Sequence, residues 1–396
     1  MTRLSDVEAK RSANRNVLLF FFTSFLIVVA FNMQSPTLSL FAAESGASLI
    51  QIGMIISVGF VVRLITRVPI GLLSDRFGRK FLFCFGAICV ASSLFILYLS
   101  ASPSHIAVGQ VVTALAFTTI YSVGMTMAEE MYRNSSVTGV AAFAVACSIA
   151  GLSAPLVCSM LLLTMPIRMT YLIAGIMGLA GIVFSTLLPK GHSVRKSLEV
   201  AQSLRSVLRN RGVQFVSLVQ VFAALSDIAI GTYFPLLAST EMGLSASMIA
   251  LLVSLYPLGM VLIRIPLPKI FGRVGPTKLL TFALATYMMA MVAMPLVKTL
   301  ALLAAFICIA GFAHGTIWPS ASLLLSHAVH SKDLGLANAV YGGTADAIGI
   351  AAPVVLSSII ELMGYSALYY TAFLFDLVGL LMISAWSARW RHEGKW

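Results

Sequence analysis

The sequence predicts an all-α membrane protein whose twelve transmembrane helices form two pseudo-symmetric six-helix bundles. Three observations predict it. Of 396 residues, 59% are hydrophobic and only 10% charged, with a mean hydropathy of +0.97, whereas soluble chains carry about 25% charged residues. Charge this scarce cannot cover a water-facing surface. Apolar runs of the roughly 20 residues needed to cross a bilayer as a helix recur along the whole chain. The second half also repeats landmarks of the first at a nearly constant offset.

The apolar runs lie near residues 16–41, 48–72, 81–101, 104–128, 138–163, 169–189, 212–238, 245–268, 278–297, 300–326, 335–361 and 365–388. The first is about twice the length of a signal-peptide core and has no small-residue cleavage site, so it reads as the first span. A polar, basic stretch at 190–211 separates six runs from six. The expected organisation is an N-terminal bundle at 1–189, a cytoplasmic linker at 190–211 and a C-terminal bundle at 212–396. In the linker, Leu198, Ala201, Leu204, Val207 and Leu208 recur at helical spacing beside Arg205, Arg209 and Arg211. That pattern fits an amphipathic helix on the inner leaflet; a disordered tether is the other reading.

Cytoplasmic loops retain Lys and Arg. With the N-terminus inside, all but five of the 26 Lys and Arg residues fall in inner segments, the exceptions being Arg63, Arg67 and Arg264 within spans and Arg168 and Lys298 in outer loops. Both termini are therefore expected in the cytoplasm and the chain in the plasma membrane. The net charge of +12 is spread over short loops, so nucleic acid is not an expected partner. The five cysteines all fall in spans without a Cys-x-x-Cys pair, as packing residues would. The sequon at Asn134 lies in an inner loop, where no glycan is expected.

Between the second and third runs, residues 71–80 read Gly-Leu-Leu-Ser-Asp-Arg-Phe-Gly-Arg-Lys. The form G-x-L-x-D-R-x-G-R-K, with Gly71, Asp75, Arg76, Gly78, Arg79 and Lys80, resembles the loop between helices 2 and 3 of the major facilitator superfamily. The resemblance implies two parallel six-helix repeats and a gating role. Asp75 and Arg79 would tie helix 2 to helix 11 in the outward-facing state and release it as the inner side opens. A plain positive-inside loop would need neither Asp75 nor both glycines.

Sliding one half over the other sets Arg67, Pro69, Arg76 and Gly78 on Arg264, Pro266, Arg273 and Gly275, 197 positions on. One position further, Gly151 and Pro155 fall on Gly349 and Pro353. The second copy of the motif departs from the first: Gly272 stands where Asp75 would, and Pro268 where Gly71 would. Gly151-x-x-x-Pro155 resembles a reduced form of the glycine-proline element in helix 5 of the family's proton-coupled antiporters. Close helix packing explains it nearly as well.

Ionisable groups within a span are costly unless paired or hydrated, which makes each a functional candidate. They are Arg63, Arg67, Asp227, Arg264, His314, Asp346 and Asp376. At about 1.5 Å per residue, Arg63 lies about 13 Å deep and Asp346 about 16 Å. The family adjoins helices 2 and 11, so Arg63 or Arg67 would meet Asp346, either as a proton-carrying acid with its counter-ion or as a static pair. Asp227 and His314 occupy helices that line the family's cavity; Asp376, on helix 12, is expected outside it. Asn32, Gln34, Tyr121, Tyr233, Trp318 and Tyr341 complete the expected lining. Tyr121 and Trp318 are mates 197 positions apart, suited to sandwich a planar substrate or to sit at a lipid interface.

No G-x-x-x-x-G-K-[ST] loop, nucleophile constellation or metal-ligand cluster is present in the sequence, so neither ATP hydrolysis nor an enzyme is expected. The leading expectation is a monomeric, proton-driven exporter of a drug-like compound or metabolite, without cofactor or metal, working by alternating access. Helix 4 departs from the exporters it resembles: Gln110 and Thr113 occupy the region where they place an arginine. The alternatives are organic-anion uptake or exchange through the intramembrane arginines, and a non-transporting membrane sensor. A sensor would carry an appended signalling domain, whereas the tails are only about 15 and 8 residues long.

Overall fold

A computed structural model describes the backbone of residues 2–132, 136–189, 200–297, 299–330 and 333–392. Among these every regular element is helical: α1 Thr2–Asn32, α2 Leu38–Glu44, α3 Leu49–Phe77, α4 Arg79–Leu99, α5 Pro103–Met131, α6 Ser136–Leu161, α7 Ile167–Thr186, α8 Val200–Arg209, α9 Arg211–Ile228, α10 Phe234–Thr240, α11 Ala246–Arg264, α12 Leu267–Val274, α13 Pro276–Ala293, α14 Leu300–Ala328, α15 Leu334–Met363 and α16 Tyr365–His392. A five-residue π turn, Ala229–Tyr233, joins α9 to α10. Twelve helices, counting α9 through α10 as one, are long and apolar enough to cross a membrane. Lys190, Arg195, Lys196 and Leu198 of the linker, with Asn134, Lys298 and Lys332, lie outside the described residues.

Contacts divide the chain into two units, one of residues 1–35 and 65–196, the other of 36–64 and 197–396. In the first, α4 packs on α5 and α7, and α1 on α6 and α7. In the second, α13 packs on α14 and α16, and α9 on α15 and α16. The same arrangement is built twice, as the internal repeat predicts.

Small residues make these contacts close. A Cβ on Gly178 would lie 3.0 Å from the Cα of Ala91, joining α7 to α4. One on Gly311 would lie 1.9 Å from the Tyr256 carbonyl oxygen, and one on Gly259 2.0 Å from that of Cys308, so α11 and α14 meet backbone to backbone. Membrane helices gain little from expelling lipid, and close van der Waals contact takes its place. Aromatic rings fill the wider gaps: Phe20 lies 5.8 Å from Phe83 and 6.0 Å from Phe143, centroid to centroid.

The motif glycine has a backbone reason. Gly78 begins α4 at φ 93°, and its mate Gly275 begins α13 at φ 78°; residues with a Cβ resist that region. The preceding segments differ. α3 runs unbroken through Pro69 to Phe77, whereas the run expected at 245–268 ends at Arg264 and restarts at Leu267 as α12. Pro266 lacks the N–H that would continue α11, and Pro268 lacks the next.

Of the linker, α8 is helical, with Val207 2% exposed and Leu204 and Leu208 largely open. Asn210 ends it. Its Oδ1 accepts from the amides of Gly212 and Val213, capping α9, while Nδ2 donates to the Ala328 carbonyl at 2.7 Å. The short helix is thereby anchored to the end of α14.

Candidate functional site

The densest polar cluster among the described spans gathers on Asp227, near the end of α9. Its Oδ1 receives the Tyr256 hydroxyl of α11 at 2.5 Å, the Tyr287 hydroxyl of α13, and Nδ1 of His314 on α14 at 2.8 Å. The two tyrosine oxygens are themselves 2.5 Å apart. Two hydroxyl hydrogens thus serve three oxygen–oxygen contacts. A proton can be redistributed in this ring without any heavy atom moving. Tyr287 is fully buried, whereas the Asp227 and His314 side chains keep 24% and 30% of their surface open.

Local sequence explains the placement. Pro235 cannot donate to the carbonyl one turn back and crowds it, and Gly231 at that position has open space where a Cβ would be. The helix widens there into the π turn, directly after Asp227. Such turns are frequent at functional sites. Gly259 and Gly311 then bring α11 and α14 close enough for Tyr256 and His314 to reach one carboxylate.

A second pair lies elsewhere in the same unit. Arg63 Nε is 3.6 Å from Asp346 Oδ1, and the guanidinium carbon sits 3.9 Å over the Phe60 ring. Asp346 is almost fully buried. Phe60 and Arg63 are three apart on α3, as are Asp346 and Gly349 on α15, so each pair shares a helix face. A Cβ at Gly349 would come 2.2 Å from the Phe60 ring. Arg63, one of the two arginines expected to meet Asp346, faces it. Arg67 is partly buried on the same helix, and Arg264 Nε donates to the Gly315 carbonyl at 3.4 Å.

In the motif, Arg79 holds Glu130 of α5 at 2.6 Å and lies farther, 3.8 Å, from Asp75. Glu130 escaped the sequence reading because it lies outside the decapeptide. Arg76 stands 5.5 Å over the ring of Phe77, and Gly71 has open space around it.

The expected lining residues take varied places. Gln34 and Gln110 are buried and bonded to each other at 3.2 Å; Asn32 donates back to Val28 of its own helix. Tyr121 stacks with Phe117 at 4.7 Å and meets Phe31 edge-on. Trp318 is partly buried. Tyr233 is fully buried, its hydroxyl donating to the Pro353 carbonyl, which Ser357 also reaches; Tyr341, equally enclosed, donates to Gln220. Enclosure of this kind makes both tyrosines ties to α15: Tyr341 joins it to α9, and Tyr233 joins it to the π turn. Pro155 is buried in α6 and Gly151 partly so.

Twelve spans, a doubled bundle and a partly buried acid ringed by donors define a polytopic membrane protein of the transporter kind. The family model for the Major Facilitator Superfamily matches residues 20–218 and again 216–395, and the chain belongs to that family. It is 19% identical to the nitrite extrusion protein of Bacillus subtilis (strain 168) over 81% of each chain. A 67-residue stretch is 30% identical to an uncharacterized MFS-type transporter of Methanocaldococcus jannaschii, 17% of each chain. Among solved structures, a point mutant of the nucleoside transporter NupG is similar with a TM-score of 0.79 at 15% identity, over 93% of this chain and 98% of that one. The human organic anion transporter MFSD10 gives 0.71 at 16%, over 94% and 99%. These likenesses show the fold. Among the described residues no group of three or more His, Cys, Asp or Glu is placed to hold a metal ion.

Proposed function

We propose that this transporter moves a small organic molecule out of the cell by alternating access, driven by protons that load and leave the Asp227 ring. The observation that carries the reading is the ring itself, in which two tyrosine hydroxyls and an imidazole from three other helices converge on one oxygen of the Asp227 carboxylate. A carboxylate with about a quarter of its surface open, beside an imidazole, suits proton exchange. A structural role alone would favour complete burial. We take both termini to be cytoplasmic, the membrane to be the plasma membrane, the protein to act as a monomer without cofactor, and its work to be transport rather than catalysis.

The experiment has two stages. Purified protein is screened by thermal stabilisation against cationic, neutral and anionic compounds, and a hit is reconstituted in liposomes with a trapped pH dye. Substrate-driven proton movement is expected with the natural sequence and is lost in Asp227→Asn. Proton movement that survives that change sinks the assignment.

A second reading rests on Arg63. Its guanidinium, stacked on Phe60 beside the acid that neutralises it, suits an anion that displaces Asp346. The nitrite extrusion relative and the organic anion transporter fold agree with such a substrate. Stabilisation by anions alone, lost in Arg63→Ala, would establish this reading in place of the first.

A further inference from the structure

The Asp227 ring accounts for one carboxylate of helix 7's surroundings and leaves another unexplained. Asp376, on α16, is 0% exposed. Ser226 Oγ lies 2.6 Å from its Oδ2, while its Oδ1 has no hydrogen-bond partner. A buried ionised carboxylate needs a counter-charge or several donors. The neighbourhood gives Asp376 one serine hydroxyl.

The elements packed against α16 are α9, α13, α15, the π turn and a 3₁₀ turn, Met294–Leu296, which carries no titratable group. Their titratable groups, with those of α16 itself, can be named. α13 carries Lys278 and Tyr287, and α9 carries Arg211 and Asp227. α15 carries Tyr341, Asp346 and Glu361; the π turn carries Tyr233; and α16 itself carries Tyr365, Tyr369 and Tyr370 and, thirteen or more residues beyond Asp376, Arg389, Arg391 and His392. Arg211 begins α9, roughly 24 Å along the helix from Asp227. Lys278 lies at the corresponding end of α13. Asp346 has its own arginine, and Tyr233, Tyr287 and Tyr341 donate elsewhere. The charge beside Ser226 is that of Asp227, the next residue along the chain, and it has the same sign as an ionised Asp376.

We propose that Asp376 is a second proton-binding site, neutral at physiological pH, coupled to the Asp227 ring through the Ser226–Asp227 step of α9. The 2.6 Å contact serves both protonation states. With Asp376 neutral, Oδ2–H donates to Ser226 Oγ; on ionisation the proton leaves and Ser226 O–H donates to the carboxylate instead. Ser226, which bonds Asp376, adjoins Asp227 in the chain, so the two carboxyl groups lie near enough in an apolar medium to feel each other's charge. The two then titrate as a pair. A proton or cationic substrate arriving at Asp227 removes the repulsion that helps Asp376 keep its proton. This inference extends the proton-coupled reading to a second acid, but its test needs no substrate.

The test is infrared difference spectroscopy of the purified natural protein and its variants. The carbonyl stretching band of a protonated carboxylic acid is expected at neutral pH, is lost in Asp376→Asn, and in Asp227→Asn disappears at lower pH than in the natural protein. Ser226→Ala, which keeps the carboxyl, shifts the band's frequency by removing its hydrogen bond, and covers the case in which Asp376→Asn fails to fold. A band unchanged by both Asp376→Asn and Ser226→Ala, or no such band, overturns the proposal. A band that behaves as expected in a protein whose substrate moves no protons would sink the coupled-export reading and leave the Asp376 assignment standing.

Discussion

At the scale of single residues, one oxygen of Asp227 meets two tyrosine hydroxyls and an imidazole brought from three other helices. Asp227 and His314 stand out in a hydropathy reading because charge in a span is rare. Tyr256 and Tyr287 do not, since tyrosine is common in apolar helices and nothing local shows that two from different spans share one oxygen. The same holds for Ser226 beneath Asp376 and for Glu130 opposite Arg79. Tyr287→Phe keeps the ring and removes one donor. It is expected to cost about 1–3 kcal/mol and to move the pH dependence of transport, read by thermal unfolding and by proton flux at several pH values. Because the two hydroxyls share one hydrogen-bonded ring, Tyr256→Phe and Tyr287→Phe should be non-additive, by 0.5 kcal/mol or more. Strict additivity would show that the hydroxyls act separately.

At the scale of elements, the twelve spans were legible because each needs a long run of one chemistry. The interruption after Arg264 was not: a single proline inside a span is ordinary, as Pro69 in α3 shows, and Pro266 breaks its helix with Pro268 close behind. The motif glycines were legible as residue types, and the structure gives their reason in the φ of Gly78 and Gly275. Glycines in spans sort by what a methyl group would meet. Gly311→Ala would press on the backbone of Tyr256, which has no rotamer to yield, and is expected to cost about 1–3 kcal/mol or more while pulling Tyr256 off Asp227. Gly231→Ala meets open space and should cost far less. Comparing their melting midpoints decides whether the α11–α14 contact holds the ring together. Equal midpoints would assign it elsewhere.

At the scale of the whole molecule, the repeat in the sequence becomes a repeat in packing, α1 with α6 and α7 matched by α9 with α15 and α16. The chemistry on that scaffold is unequal. The motif acid belongs to the first half, whereas the proton-capable ring and the buried Asp376 belong to the second. The charge asymmetry predicts the sidedness. With the five native cysteines replaced, Lys80→Cys should be shielded from a membrane-impermeant thiol reagent added outside intact cells, and Ser102→Cys should react. The reverse pattern would invert the topology.

The π turn at Ala229–Tyr233 means that helix 7 holds one residue more than a regular helix of its length. Each residue turns an α-helix by about 100°, so the extra one changes the helix's phase between its two ends. Before the turn, Ser226 and Asp227 address α16 and the tyrosine–histidine ring; at its last residue, Tyr233 addresses Pro353 on α15. A uniform helix through this segment would set Tyr233 at a different angle from Ser226 and Asp227. Deleting one residue from the turn would put the two ends out of register with each other, with no side chain altered.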